Sequence, residues 1–281
     1  MINDDICYRF EQYKYTDGLL NDSVDATYIL HLEDNGRLES IKKQLNQYHP
    51  TNIVYIVFDK GYKKCKKQLK EDNALSDIVN SYSKIFEHSA QHNFSNVLVL
   101  EDDFIFGSEL HNKFHIETIN TFMNIHKNEE LIYSLGVIPL ITYPYNLYTY
   151  RILMGGGLHA SIYTRKAQDN IIQNFKNIGF PEVYIASHIK WYMYYIPLVY
   201  QLFPQTDNSK NWPFIWPIDI IAREFIKLFN LEKNKEPGTS IMYILSKTLF
   251  LAFIFYILYI IIMIYTTITS AVPKKYNTKK N

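Results

Sequence analysis

The run Asn96-Val97-Leu98-Val99-Leu100 is short, apolar and rich in aliphatic side chains, and it stops on three consecutive carboxylates, Glu101, Asp102 and Asp103, before resuming as Phe104-Ile105-Phe106. Adjacent acids repel one another and lose hydration when buried, so packing gives no reason to end a buried strand this way. A divalent cation removes the conflict. Hard carboxylate oxygens suit Mg2+ or Mn2+, and an ion held by a few of them can also bind a diphosphate. The competing reading is a solvated acidic turn.

The elements that would position the triplet are legible upstream. Ala26–Leu32 reads as a strand, and Glu33-Asp34-Asn35-Gly36 as a turn and cap. Arg37–Leu45 carries Leu38, Ile41 and Leu45 at helical spacing, and Asn52–Phe58 is a second strand. Strand, helix, strand predicts a βαβ unit and a parallel sheet. A helix over Asp77–Ala90, with Ile78, Tyr82, Ile85 and Phe86 on one face, leads into the Asn96 strand. The acids thus fall at the carboxyl end of a central strand, where open α/β sheets gather ligands. Arg37 opens the first helix and either reaches a phosphate or faces solvent. Lys63, Lys64, Lys66 and Lys67 either meet phosphates or headgroups or form a solvated helical face. Residues 1–24 show no readable period and stand as an N-terminal extension.

The chain of 281 residues has room for one large domain or two modest ones. Its formal charge of +1 provides no field for nucleic acid, although 24 Tyr and 17 Phe are many. With two cysteines, Cys7 and Cys65, the expectation is free thiols in a reducing compartment. The first thirty residues lack a basic start followed by an apolar run, so no signal peptide is expected.

From Thr248 to Val272 there is no charged residue, long enough for a bilayer span. The reading is a catalytic domain over 25–217, an amphipathic helix and linker over 218–240, a transmembrane segment over 241–272 and a basic tail over 273–281. Ile218–Leu231 has the pattern of a helix lying on a membrane, and Asn208–Trp216 that of a rigid closing loop. A span so placed implies insertion after synthesis and a cytosolic globular part. The lysines of the tail run against the positive-inside rule in that orientation.

Taken together, Gly61-Tyr62-Lys63-Lys64-Cys65-Lys66-Lys67, the 77–90 helix and Val-Leu-Val-Leu-Glu-Asp-Asp-Phe resemble a GT-A glycosyltransferase. More narrowly, they are similar to the lipooligosaccharide and procollagen galactosyltransferase family and its relatives in large DNA viruses. The small-residue segment Gly155-Gly156-Gly157-Leu158-His159-Ala160-Ser161 and the late Tyr194–Gln201 segment extend the likeness over about residues 25–215. The resemblance implies a Rossmann-related α/β fold with a mixed, mainly parallel sheet flanked by helices. It implies metal-dependent transfer of a hexose, with inversion, from a nucleoside diphosphate donor to a glycan, protein or lipid hydroxyl.

By that resemblance Glu101 and Asp103 hold Mn2+ or Mg2+, Asp102 faces the ribose or sugar, and His159 is a late metal ligand, with His188 its rival. Arg37, Gly156 and Gln201 line the donor site. Glu182 is the base that deprotonates the acceptor, with Asp169 its rival. The three glycines form a tight loop in preference to a phosphate cradle, since no Gly-Lys-Ser/Thr follows. Tyr143, Tyr145, Tyr148 and Tyr150 line an acceptor cleft or are ordinary core and loop residues. One departure stands out: bacterial members carry a Ser-His pair in the helix before the acids, where this chain has Ser81-Tyr82-Ser83, with His88 later. A non-catalytic, membrane-anchored glycan or partner binder of the same fold is the alternative.

Overall fold

The computed structural model describes residues 4–203 and 218–271. In chain order the elements are β1 (Tyr8–Lys14), β2 (Ala26–Leu32), α1 (Leu38–Leu45), β3 (Ile53–Asp59), α2 (Ala74–Gln91), β4 (Asn96–Glu101), β5 (Phe104–Phe106) and α3 (Lys113–His126). They continue with β6 (Leu131–Pro144), β7 (Thr149–Thr164), α4 (Arg165–Asn174), α5 (Pro181–His188), β8 (Lys190–Tyr194), β9 (Val199–Gln201), α6 (Ile218–Leu228) and α7 (Gly238–Ala271).

Near-continuous apolar runs make β2, β3 and β4 strands that are covered on both faces, as parallel strands require. The main sheet has the order β1-β3-β2-β4-β7-β6-β8, so β4 lies at its centre. One core packs the sheet against α2, α4 and α5 through Val79, Ile85, Phe86, Ala167, Ile171 and Ile185. The other packs it against α1 and α3 through Ile41, Leu45, Ile119, Phe122 and Met123. Asn73 starts α2 by accepting the Ser76 N–H at 2.8 Å, and the chain turns out of it at Asn93, whose φ is 57°.

Several expectations need correction. The sheet is mixed and not mainly parallel: β2 pairs in parallel with β3 and β4, and β6 with β8, while β1 on β3 and β7 on β4, β6 and β8 are antiparallel. Part of the 1–24 segment belongs to the sheet, as β1, with Tyr8 opposite Asp59. The triple glycine is no loop. It lies inside β7, where Gly155 and Gly156 face Pro139 and Ile138 and the register shifts nearby.

Cys7 and Cys65 form a disulfide, contrary to the expectation of free thiols. Lys67 is neither solvated nor helical: its ammonium is buried between Asp59 and Asp77. The predicted loop over 208–216 and the basic tail over 273–281 lie outside the described residues.

The first turns of α7 dock on β6, burying Thr239, Tyr243 and Ser246 at i, i+4 and i+7. From Thr248 to Thr267 the helix is largely exposed and apolar. Gly238–Thr267 is long and apolar enough to cross a membrane.

Candidate functional site

The acids sit where β4 leaves the sheet. Leu100 still pairs with Ala160 of β7; the chain then turns at Asp102 and Asp103 and enters β5, which pairs with β9 so that Phe104 faces Gln201. This short second sheet brings a residue about a hundred positions away to the strand end.

The three acids have different surroundings. Asp102 is held by four donors of the protein. It accepts from Arg37 Nη1 at 2.5 Å, from the Leu32 N–H at 3.1 Å, from His31 Nδ1 at 3.2 Å and from the Asn35 amide. The turn that delivers these donors needs left-handed backbone at Asp34 and Gly36, with φ of 65° and 78°. Burial works against ionisation of Asp102, but the His31, Arg37 and Asn35 donors outweigh it and hold its carboxyl below the usual range. Asp102 therefore organises the Arg37 turn: Oδ2 takes three of these donors and Oδ1 takes Arg37.

Asp103 has its donors at longer range. Arg37 Nη1 is 3.3 Å from one oxygen, and the Gln201 amide nitrogen is 3.2 Å from each. Burial raises its carboxyl most, Arg37 opposes that, Asp102 adds to it, and the result is about 6. Glu101 points towards α2, where the Tyr82 hydroxyl lies 3.4 Å from its Oε1 and also 3.3 Å from the Leu158 carbonyl. Burial and the negative charges of Asp103, Glu182 and Asp102 push Glu101 up to about 8.

Glu182 lies in the first turn of α5, after Pro181 at the helix start. Burial raises its carboxyl, opposed by hydrogen bonds from its own backbone and from Gly157. Gly157 sustains a φ of 69°, and a Cβ there would lie 3.4 Å from Gln201 Oε1. The structure thus gathers Glu101, Asp103, Glu182, Gly157, Gln201 and Arg37. Gly156 borders this group, and a Cβ on it would meet open space.

His159 is not brought to the acids as a ligand. It is buried in β7, its Nε2 is 3.4 Å from the Val199 carbonyl, and its Nδ1 has no partner. Burial pushes it down to about 4. His188 is exposed at the end of α5, with Nδ1 against the Tyr184 carbonyl, and Asp169 pairs loosely with Arg165 at 3.9 Å on the surface. Tyr143, Tyr145, Tyr148 and Tyr150 lie at the far end of the β6–β7 hairpin: Tyr143 packs on Phe250 of α7, Tyr145 on Tyr192, and Tyr148 on Phe114 and Tyr195. Sequence reading missed His31, Asn35 and Tyr82. Asn35 next to Gly36 was a turn signal, but nothing in the spacing tied it to Asp102.

Among the described residues, no three His, Cys, Asp or Glu side chains gather as a metal cage. What the site offers is hard oxygen: the carboxylates of Glu101 and Asp103 and the buried Gln201 Oε1, which has no hydrogen-bond partner. Mg2+ is commonly held by one or two carboxylates with phosphate and water completing its shell. The donor set fits that pattern.

No family model and no curated protein matches the chain. The solved structures similar to it include A197 from STIV and a glycosyltransferase involved in the glycosylation of the major capsid of PBCV-1. Each is 10% identical with a TM-score of 0.34; they cover 63% and 61% of this chain and 85% and 82% of their own. Likeness at that level assigns no family.

Proposed function

We propose that this chain is a membrane-anchored, metal-dependent glycosyltransferase that moves a sugar from a nucleoside diphosphate to an acceptor hydroxyl with inversion, on a GT-A-like domain. One observation carries the reading: at the carboxyl end of the central strand the largely buried carboxyls of Glu101 and Asp103 stand close in the chain, and Gln201, whose amide nitrogen meets Asp103, keeps a buried amide oxygen without a partner. Such a group is stabilised by a cation, and hard oxygens select Mg2+ or Mn2+. A bound ion supplies Lewis-acid stabilisation of the departing diphosphate.

The chain's own residues supply the rest. Glu182, raised by burial, takes the proton of the acceptor oxygen as that oxygen bonds the anomeric carbon and the bond to phosphate breaks. Arg37, anchored on Asp102 through Nη1 and more loosely on Asp103, would present its other N–H groups to a phosphate. Asp102 holds the turn from which Arg37 projects.

The non-catalytic reading has one observation in its favour: Arg37 pairs with Asp102 at 2.5 Å and with Asp103 at 3.3 Å, so the protein itself supplies a counter-charge to the acids. Turnover of a panel of nucleotide sugars with Mn2+, comparing the intact protein with Asp103→Ala, separates the two. Turnover lost on substitution supports the enzyme. No turnover and no metal-dependent nucleotide binding supports the binder.

For orientation, the Cys7–Cys65 disulfide suits an oxidising compartment, and the tail lysines suit the cytosolic face. Both favour a globular part on the oxidising side of the membrane, opposite to the expectation from sequence. Protection of that part from protease in sealed microsomes is the expected result; digestion would reverse the orientation.

A further inference from the structure

The far end of the β6–β7 hairpin is an apolar, exposed ribbon with no role in the site. Between Gly136 and Gly157 the only charged residue is Arg151, and four tyrosines punctuate the stretch. Leu140, Ile141, Leu153 and Met154 are exposed, and Leu147 at the tip is 83% exposed. A soluble domain rarely leaves so many aliphatic side chains together in water.

The hairpin and α7 run side by side in the same direction. Thr142 meets Ser246 at 3.4 Å between hydroxyls, and one residue further Tyr143 packs on Phe250, ring centres 5.7 Å apart. Lys247, the last charge before the apolar stretch, reaches back to the Tyr195 carbonyl and lies 4.8 Å over the Tyr150 ring. At about 3.3 Å per strand residue, the bend at 145–148 projects roughly 7 Å past Tyr143. That is level with about five further residues of α7 at 1.5 Å each, inside its uncharged exposed part.

We infer that the tip of the β6–β7 hairpin, around Leu147, seats in the interfacial layer of the bilayer that α7 crosses, with Tyr143, Tyr145, Tyr148 and Tyr150 at the level of the headgroups. The inference rests on α7 spanning a membrane, part of the function proposed above. Its occupant is lipid because the ribbon ends beside a helix whose own exposed surface at that level is apolar: Leu249, Leu251 and Phe253 are each more than half exposed. Tyrosine rings with Lys and Arg above them are the residues that settle at a membrane interface. Two attachments, helix and hairpin, would fix the tilt of the domain and hold the acidic site at a set height above the headgroups.

The test uses the full chain, disulfide intact, reconstituted in phosphatidylcholine vesicles. An environment-sensitive fluorophore is placed in turn at Leu147→Cys, at Phe255→Cys within α7 and at Gln91→Cys, exposed at the end of α2 on the side of the sheet where β4 starts. Doxyl-labelled lipid is the quencher. The expected result is blue-shifted emission quenched by a shallow doxyl at 147 and at 255, which lie at one level, and water-like, unquenched emission at 91. Water-like emission at 147 with quenching retained at 255 overturns the hairpin seat and leaves the anchor standing. Loss of quenching at 255 overturns the anchor, and the hairpin seat with it.

Discussion

The amide nitrogen of Gln201 lies 3.2 Å from both carboxylate oxygens of Asp103, while its own Oε1 is buried and has no partner. A side chain held at one end and unsatisfied at the other costs free energy unless a ligand completes it. Gln201→Leu keeps the bulk and removes both functions. The expected outcome is Mn2+ affinity weaker by about 10–100-fold, as for loss of groups that orient metal ligands, with an unchanged far-ultraviolet circular dichroism spectrum. Calorimetric titration with Mn2+ measures it. Wild-type affinity in the variant would remove Gln201 from the site.

Glu101 makes stability depend on pH, and the sign follows from its environment. Its carboxyl is raised from an ordinary 4.5 to about 8 by burial and by neighbouring acids. Its contribution is therefore fully present below about pH 4.5 and lost as pH rises through about 8. Cation binding needs the ionised form, so stabilisation by Mn2+ should grow over that same interval. Thermal melts at about pH 6 and about pH 9, with and without Mn2+, are expected to show a larger metal-induced rise at the higher pH. Glu101→Gln should flatten both trends.

The Cys7–Cys65 bridge ties the residue before β1 to the loop after β3 across 58 positions. Closing a loop of that length constrains the unfolded chain by about 4 kcal/mol on the chain-entropy account, and removal of native disulfides costs about 2–5 kcal/mol. Cys65→Ala should lower the unfolding free energy in that range. Reductant should produce the same loss in the wild type and none in the variant. A wild type indifferent to reductant would mean that the bridge contributes nothing.

How much of this was legible beforehand depended on whether the signal was local. The strands over 26–32, 53–59 and 96–101 and the helices between them announced themselves because a buried parallel strand must be apolar throughout and a packed helix must repeat its apolar face. The acids at 101–103 were legible for the opposite reason: they break a packing rule. β1 was not, because an edge strand needs only one covered face, and Tyr8–Lys14 alternates polar and apolar side chains around a charged exterior. The triple glycine resembled a turn because glycine weakens strands, and only cross-strand partners on β6 hold it in one. The fates of Asp102 and His159 depended on tertiary neighbours, the Leu32–Arg37 turn in one case and the Val199 carbonyl in the other, which no spacing encodes. Lys67 misled because its neighbours in sequence are lysines, while its partners Asp59 and Asp77 come from β3 and α2.

Gly136 and Gly156 offer a paired test of what holds the site open. A Cβ on Gly136 would stand 2.1 Å from the Val199 carbonyl oxygen and 2.5 Å from His159 Nε2, so Gly136→Ala must push β9 away from β6. β9 carries Gln201 two residues further on and pairs it with Phe104, so the displacement reaches the residue that braces Asp103. Overpacking of this kind costs about 1–3 kcal/mol. The expected outcome for Gly136→Ala is a lowered melting temperature together with loss of Mn2+ binding at temperatures where the protein is still folded. Gly156 has nothing within 4 Å of the position its Cβ would take and no left-handed backbone, so Gly156→Ala should fold as the wild type does. If Gly156 borders the donor, its alanine variant raises KM for the nucleotide sugar at unchanged melting temperature. Equal stability and equal Mn2+ binding in Gly136→Ala would show that β9 does not couple that glycine to Asp103.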